Sequence, residues 1–209
     1  MGRECTNIVK TNEGASSKVF LLSFDNGTEA IAKLPTPMAG PAHLTTSSEV
    51  ATMDYARTVL NLPVPHVYAW NSRAESTPVG AEYIIMEKAP GEPLHTTWCA
   101  RDSILPGSTA PDFRNFGPVL TAVTNMEKQF GARAFSQIGN IYYVEDVAPH
   151  LRDRPLYAPG HADTAGGCDR FRIGPLVDWG LWRGGRILQE EEAGPYADLR
   201  PLAHRLARG

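Results

Sequence analysis

Two apolar runs, Val19 to Phe24 and Glu29 to Leu34, flank Asp25-Asn26-Gly27. Asn-Gly between β-type runs is a strong short-range hairpin signal, so the pattern predicts strand, turn, strand. Cys5 to Lys10 reads as a short strand ahead of this pair. Behind Thr45-Thr46-Ser47-Ser48, which offers several N-cap candidates, Val50, Met53, Ala56 or Arg57, and Leu60 recur at helical spacing. That predicts a helix from about Ser48 to Leu60 with Glu49 in its first turn, where the helix dipole favours a carboxylate. His66 to Asn71 reads as a further strand, and Ala81 to Met86, broken only by Glu82, as a central one. Phe116 to Phe130 has the clearest helical pattern of the remainder, and Gly139 to Val144 looks like a short strand. Ala148 to Gly167, rich in Pro, Gly, Arg and Asp, is expected to be a long surface loop. Phe171 to Arg186 suits a buried turn with Trp179 or Trp182 as its anchor. From Gln189 the chain is charged and helix-prone. The predicted class is α+β, with a β-rich part over 1–92, a largely helical part over 93–209, and a ligand cleft at the joint near Glu87 to Pro93.

The bulk composition narrows the partners. At 209 residues, 42% hydrophobic and 21% charged, the chain can bury a real core. A net charge of -3 provides no basic field to attract nucleic acid or an anionic membrane nonspecifically. Cys5, Cys99 and Cys168 are far apart and show no Cys/His ligand spacing, which points to a reduced compartment without structural zinc. No apolar run reaches the length of a membrane span. The opening MGRECTNIVK has neither a signal-peptide core nor an Arg/Ser-rich leader pattern.

The candidate chemistry lies at the hairpin. Lys33 interrupts apolar neighbours, so its ammonium either leans to solvent or is held inside by an anion. Gly14-Ala15-Ser16-Ser17, ahead of the first hairpin strand, is a small-residue loop whose amides can approach an anionic ligand closely. Loop, hairpin and lysine together describe a phosphate clamp; the plainer alternative is an ordinary hairpin with a snorkelling lysine. Glu49 either caps its helix or pairs with Lys33.

Taken in order, EGASSKVFLLSFDNG (Glu13 to Gly27), AIAKLP (Ala30 to Pro35), SEVATMDYAR (Ser48 to Arg57), LPVPHVYAW (Leu62 to Trp70), VGAEYIIMEKAPGEPL (Val79 to Leu94) and FRIGP (Phe171 to Pro175) carry a resemblance. The pattern resembles the protein-kinase-like fold, and within it the fungal aminoglycoside phosphotransferase-related family that includes the altered inheritance of mitochondria proteins. The resemblance implies an antiparallel β N-lobe with one helix, followed by the beginning of an α-helical C-lobe. It implies that Lys33 contacts ATP phosphates, that Glu49 is its helix partner, and that Met86, Glu87 and Ala89 belong to the hinge holding adenine. Gly14 and Ser16 fall in the phosphate-covering loop, where the family reads more like EGGFN.

Phosphoryl transfer in this fold also needs a catalytic-loop Asp, a metal-binding Asn and a second metal-binding Asp. In the family these follow the FRIGP-like segment at a distance, so the chain is expected to stop before them. His161-Ala162-Asp163 and Asp178-Trp179-Gly180 imitate the spacing, but Cys168 stands where the Asn belongs and no apolar strand precedes His161. The expectation is weak ATP binding without turnover, with Mg2+ not held by this chain. The alternative is a nonenzymatic, pseudokinase-like interaction module, associating through exposed apolar surface around Trp179, Leu181 and Trp182. A third reading is an unrelated α+β domain, which Lys33 and Glu49 lying out of reach of each other, with the helix on the other face of the sheet, would support. The family name implies a mitochondrial location; the residues alone are equally compatible with the cytoplasm.

Overall fold

The computed structural model describes residues 3–11, 13–92, 94, 116–161, 166–182 and 190–206. The chain forms two compact units, one comprising Met1–Lys88 with Ala134–Gly209 and the other Ala89–Arg133. In the first, strands β1 (Cys5–Lys10), β2 (Ser17–Phe24), β3 (Glu29–Pro35), β4 (Val67–Asn71) and β5 (Tyr83–Glu87) make one five-stranded sheet in the order β1-β2-β3-β5-β4. Every pairing in it is antiparallel. The hairpin turns where expected: Gly27 takes φ 78°, which glycine adopts without a Cβ penalty, and its amide donates to the Phe24 carbonyl at 2.9 Å. β5 is interior, between β3 and β4, as the apolar run Ala81 to Met86 predicted.

Helix α1 (Leu44–Thr58) begins four residues before the expected start at Ser48. The reason lies in the hydroxyl run that looked like a set of caps. Thr45 Oγ1 donates back to the Pro41 carbonyl at 2.9 Å and Ser47 Oγ to the His43 carbonyl at 2.7 Å. These side chains bond the preceding turn instead of capping the following one. Glu49 therefore stands in the second turn, and first-turn dipole stabilisation does not account for it.

Residue His43 fixes the helix entrance, with φ 66°. Its Nε2 lies 3.4 Å from the Arg73 guanidinium and its Nδ1 lies 2.6 Å from Ser72 Oγ. An arginine can only donate, so Nε2 accepts and Nδ1 carries the proton given to Ser72. This ties the start of α1 to the end of β4.

The second sheet of this unit is a pair, β6 (Asn140–Tyr143) with β7 (Phe171–Gly174), antiparallel. β7 corrects the reading of Phe171 to Arg186 as a turn: Phe171 and Ile173 alternate into the core at 0% and 4% exposure. The close approach of the two strands requires glycine, since a Cβ on Gly139 would stand 2.2 Å from the Gly174 carbonyl oxygen. The expected surface loop over Ala148 to Gly167 is likewise corrected, because Leu151, Leu156 and Tyr157 in it are buried. Its Pro, Gly and charged residues hide three core positions. α1 packs on this pair through Ala51, Tyr55, Ala56, Val59 and Leu60 with Ile141, Phe171 and Ile173. Short helix α3 (Trp179–Trp182) and helix α4 (Leu199–Leu206) follow. Leu181 is 3% exposed and Trp182 donates from Nε1 to the Leu176 carbonyl at 2.8 Å. Trp182 is thus a half-buried anchor, and Leu181 is buried where the expected patch had it exposed; the Trp179 side chain lies outside the described residues.

The second unit contributes helix α2 (Phe116–Gly131), matching the predicted Phe116 to Phe130. Among the described residues no helix is long and apolar enough to cross a membrane.

Candidate functional site

Cross-strand neighbours in a sheet share a face. Val19 pairs with Lys33, Lys33 with Ile84, and Ile84 with Trp70, so these four make one row across β2, β3, β5 and β4. The row looks toward α1 and β6. Lys33 Nζ forms an ion pair with Glu49 Oε1 of α1, and the Trp70 ring stacks on Tyr143 of β6 at 6.2 Å. The Lys33 and Glu49 side chains keep 25% and 33% of their exposure, so the pair is sheltered yet open to a ligand. Of the two readings of Glu49, pairing is the one that forms, and of the two readings of Lys33, an internal anion holds it.

Gly14 and Ser16 sit at the end of the same hairpin. The Gly14 amide donates to the Ser17 carbonyl at 3.2 Å, and the Ser16 carbonyl accepts from the Thr36 amide at 3.0 Å. Thr36 Oγ1 also donates to the Ala15 carbonyl at 3.3 Å. The loop is therefore tied to the residue just after β3, with Lys33 two rungs inward from Pro35. Ser17 is buried, while Ala15 and Ser16 are exposed.

At the other end of β3, Met86 pairs with Ile31 and Glu87 with Ala30. The Glu87 carboxylate accepts from the His66 amide at 3.1 Å and approaches Arg57 at 3.7 Å, and Lys88 pairs with Glu29 at 2.6 Å. Sheet and side-chain bonds thus hold Met86 to Lys88 in extended form. Ala89 is exposed and opens the second unit. Of the imitation catalytic loop, His161 lies exposed in a turn and Asp178 is exposed before α3, while Asp163 lies outside the described residues.

Sequence reasoning missed the residues that hold α1 in place. The Tyr143 hydroxyl donates to Asp54 Oδ2 at 2.7 Å, and Arg170 forms an ion pair with the same oxygen. The Arg170 guanidinium also lies 5.1 Å from the Phe171 ring centroid. Nearer Glu49, Asn140 Nδ2 donates to Ser48 Oγ at 3.0 Å. Burial, followed by the hydrogen bond and charge of Asp54, pushes the Tyr143 hydroxyl above its ordinary pKa, so it remains a donor. No local signal exists for Asp54, Tyr143 and Arg170, which are brought together only by the tertiary fold. Asp54→Ala is expected to cost about 2 kcal/mol, mostly from the orphaned tyrosine, because the half-exposed Arg170 is screened. Tyr143→Phe should cost about 1 kcal/mol. A double-mutant cycle in urea checks this; strictly additive losses would show that the two residues do not act as a pair.

Asp146 has Oδ2 buried without a hydrogen-bond partner among the described residues. Burial pushes its carboxyl above the usual range, reinforced by the charge of Glu145 and opposed by that of Arg73. A carboxyl whose pKa rises on folding binds more protons folded than unfolded, so its contribution falls as pH climbs through that raised value. Asp146→Asn is therefore expected to gain stability relative to the parent as pH rises above 3.8, with the difference smallest below it. Denaturation midpoints across that range test the sign; a constant offset would refute it.

No family model matches the chain. It is similar to a subtelomeric hrmA-associated cluster protein of Aspergillus fumigatus, 39% identical over 191 residues that make up 91% of this chain and 33% of that protein. It is also similar to proteins named altered inheritance of mitochondria protein 9, mitochondrial. The one from Candida tropicalis is 26% identical over 94% of this chain and 32% of its own length, and the one from Komagataella phaffii 25% identical over 88% and 30%. These likenesses support a fungal relationship of the altered-inheritance-of-mitochondria-protein-9 type. The chain spans about a third of the length of the curated relatives it matches.

Proposed function

We propose that this chain binds a nucleoside triphosphate as part of a phosphotransferase-lineage protein with a protein-kinase-like fold, related to the aminoglycoside phosphotransferases. The single observation that carries the reading is the sheltered ion pair between Lys33 on the third sheet strand and Glu49 on the helix facing it. A lysine so steadied presents its remaining N–H donors to phosphate oxygens. The residues fit ATP in kind: Lys33 for the phosphates, the Gly14 to Ser16 backbone beside it, and the extended Met86 to Lys88 run for an adenine edge. No residue of the chain is assigned the acceptor-orienting or metal-binding part of phosphoryl transfer, so the activity proposed for it is binding without turnover. Nucleotide-dependent thermal stabilisation and phosphate release test the two halves separately. Appreciable turnover abolished by Asp163→Ala would overturn the second half.

A nonenzymatic interaction module is the second reading, favoured by the exposed Leu120, Val123, Met126 and Phe130 of α2. On that reading Lys33→Met leaves partner binding intact, and its loss together with nucleotide binding counts against it. The relatives' printed names also support a mitochondrial location, which imaging of the tagged protein against a mitochondrial marker decides.

A further inference from the structure

Beyond the nucleotide reading, and independent of it, the first unit carries a separate pocket of about 230 Å³, several times the ~30 Å³ share of one water in the liquid. Its walls come from three places in the chain: Ala148, His150, Leu151 and Arg154 after β6, Pro175 after β7, and Pro195 with its neighbour Gly194. Successive turns set the first group, with the Leu151 amide donating to the Ala148 carbonyl at 2.9 Å and the Arg154 amide to the Leu151 carbonyl at 3.1 Å. They bring His150 and Arg154, four positions apart, to one opening. The rest of the lining is aliphatic or proline.

Arg154 differs in one respect from Arg152, Arg170 and Arg172. Arg152 donates to the Val147 and Glu145 carbonyls, Arg170 pairs with Asp54, and Arg172 donates to the Phe171 carbonyl at 2.7 Å. Among the described residues the Arg154 side chain makes no hydrogen bond or ion pair, and neither does that of His150. A guanidinium presents a fork of donors matched to carboxylate or phosphate oxygens, and an imidazole adds a directional N–H. The geometry points to a binding site for a small organic anion, with a phosphate or carboxylate head on Arg154 and His150 and a compact apolar body against Leu151, Pro175 and Pro195.

The test is an amide-resolved NMR titration of the whole chain with phenyl phosphate, inorganic phosphate and benzoate as probes. The expected result is saturable shifts at Ala148, Leu151 and Arg154 in the millimolar range, with phenyl phosphate about tenfold tighter than inorganic phosphate because of the apolar wall. Benzoate binding as well as phenyl phosphate assigns a carboxylate source, and benzoate failing assigns a phosphate one; either supports the site. Arg154→Gln should weaken binding about tenfold and His150→Gln less, both at exposed positions where the fold does not depend on the side chain. Lys33→Met should change nothing at these amides. Absent shifts, equal affinity for both phosphates, insensitivity to Arg154→Gln, or loss on Lys33→Met would each overturn the assignment.

Discussion

Lys33→Met is expected to abolish the thermal stabilisation that the proposed nucleotide binding would confer on this chain. A ligand at ten times its Kd stabilises the folded state by about 1.4 kcal/mol, and for a chain of this size each kcal/mol moves Tm by roughly 2–4 °C. The parent should therefore gain about 3–6 °C at that loading, and the variant nothing. Methionine keeps the length and apolar stem of the lysine, and the Glu49 carboxylate it strands is one third exposed, so the variant should fold. Equal stabilisation of both proteins would move the nucleotide away from Lys33; no stabilisation of the parent would sink the nucleotide reading itself. Glu49→Gln separates the roles further, since it keeps the cation and removes only its brace.

Phe171→Ala should produce the largest loss of stability in the molecule. Its ring is 0% exposed, meets Tyr55 edge-on at 5.5 Å and stacks on Tyr143 at 5.6 Å. Truncation removes the transfer free energy of the ring and leaves a cavity between α1 and β7, together about 3–5 kcal/mol, or a Tm lower by roughly 10 °C. That is a large part of the ~5–15 kcal/mol that a domain has. Urea denaturation monitored by tryptophan fluorescence measures it, and a loss below about 1 kcal/mol would show that the contact with α1 is not the core of this unit. Phe171→Leu should recover much of the difference by refilling the volume.

The two effects show which parts of the structure were legible in the residues. The hairpin was, because Asn26-Gly27 supplies a local conformational requirement and the flanking runs are apolar and β-prone; from that alone Lys33 lands on β3. Glu49 was placed on a helix, and its pairing offered as one of two readings, but the helix start was misjudged. Hydroxyls at Thr45 and Ser47 have two uses, forward capping and backward bonding, and only the surrounding structure selects between them. β7 was missed because four residues of Phe-Arg-Ile-Gly are too short for alternation to stand out beside the tryptophans that follow. Leu151, Leu156 and Tyr157 were hidden for a related reason: a segment made mostly of Pro, Gly and charge can still thread isolated apolar side chains into a core. The Asp54, Tyr143 and Arg170 group had no sequence signal, since its members are 89 and 116 positions apart.

The margin of the five-stranded sheet carries a consequence of its own. Among the described residues β1 pairs only with β2, all six of its residues are exposed, and Ile8 and Val9 show large apolar area. Along its outer side the amides and carbonyls are an unfinished ladder, and another extended segment can add rungs there without disturbing those already made. The irregular register between Cys5 and Asn7 bends one end of that ladder, and the charge of Lys10 guards the other, leaving only the few rungs around Ile8 for any such growth.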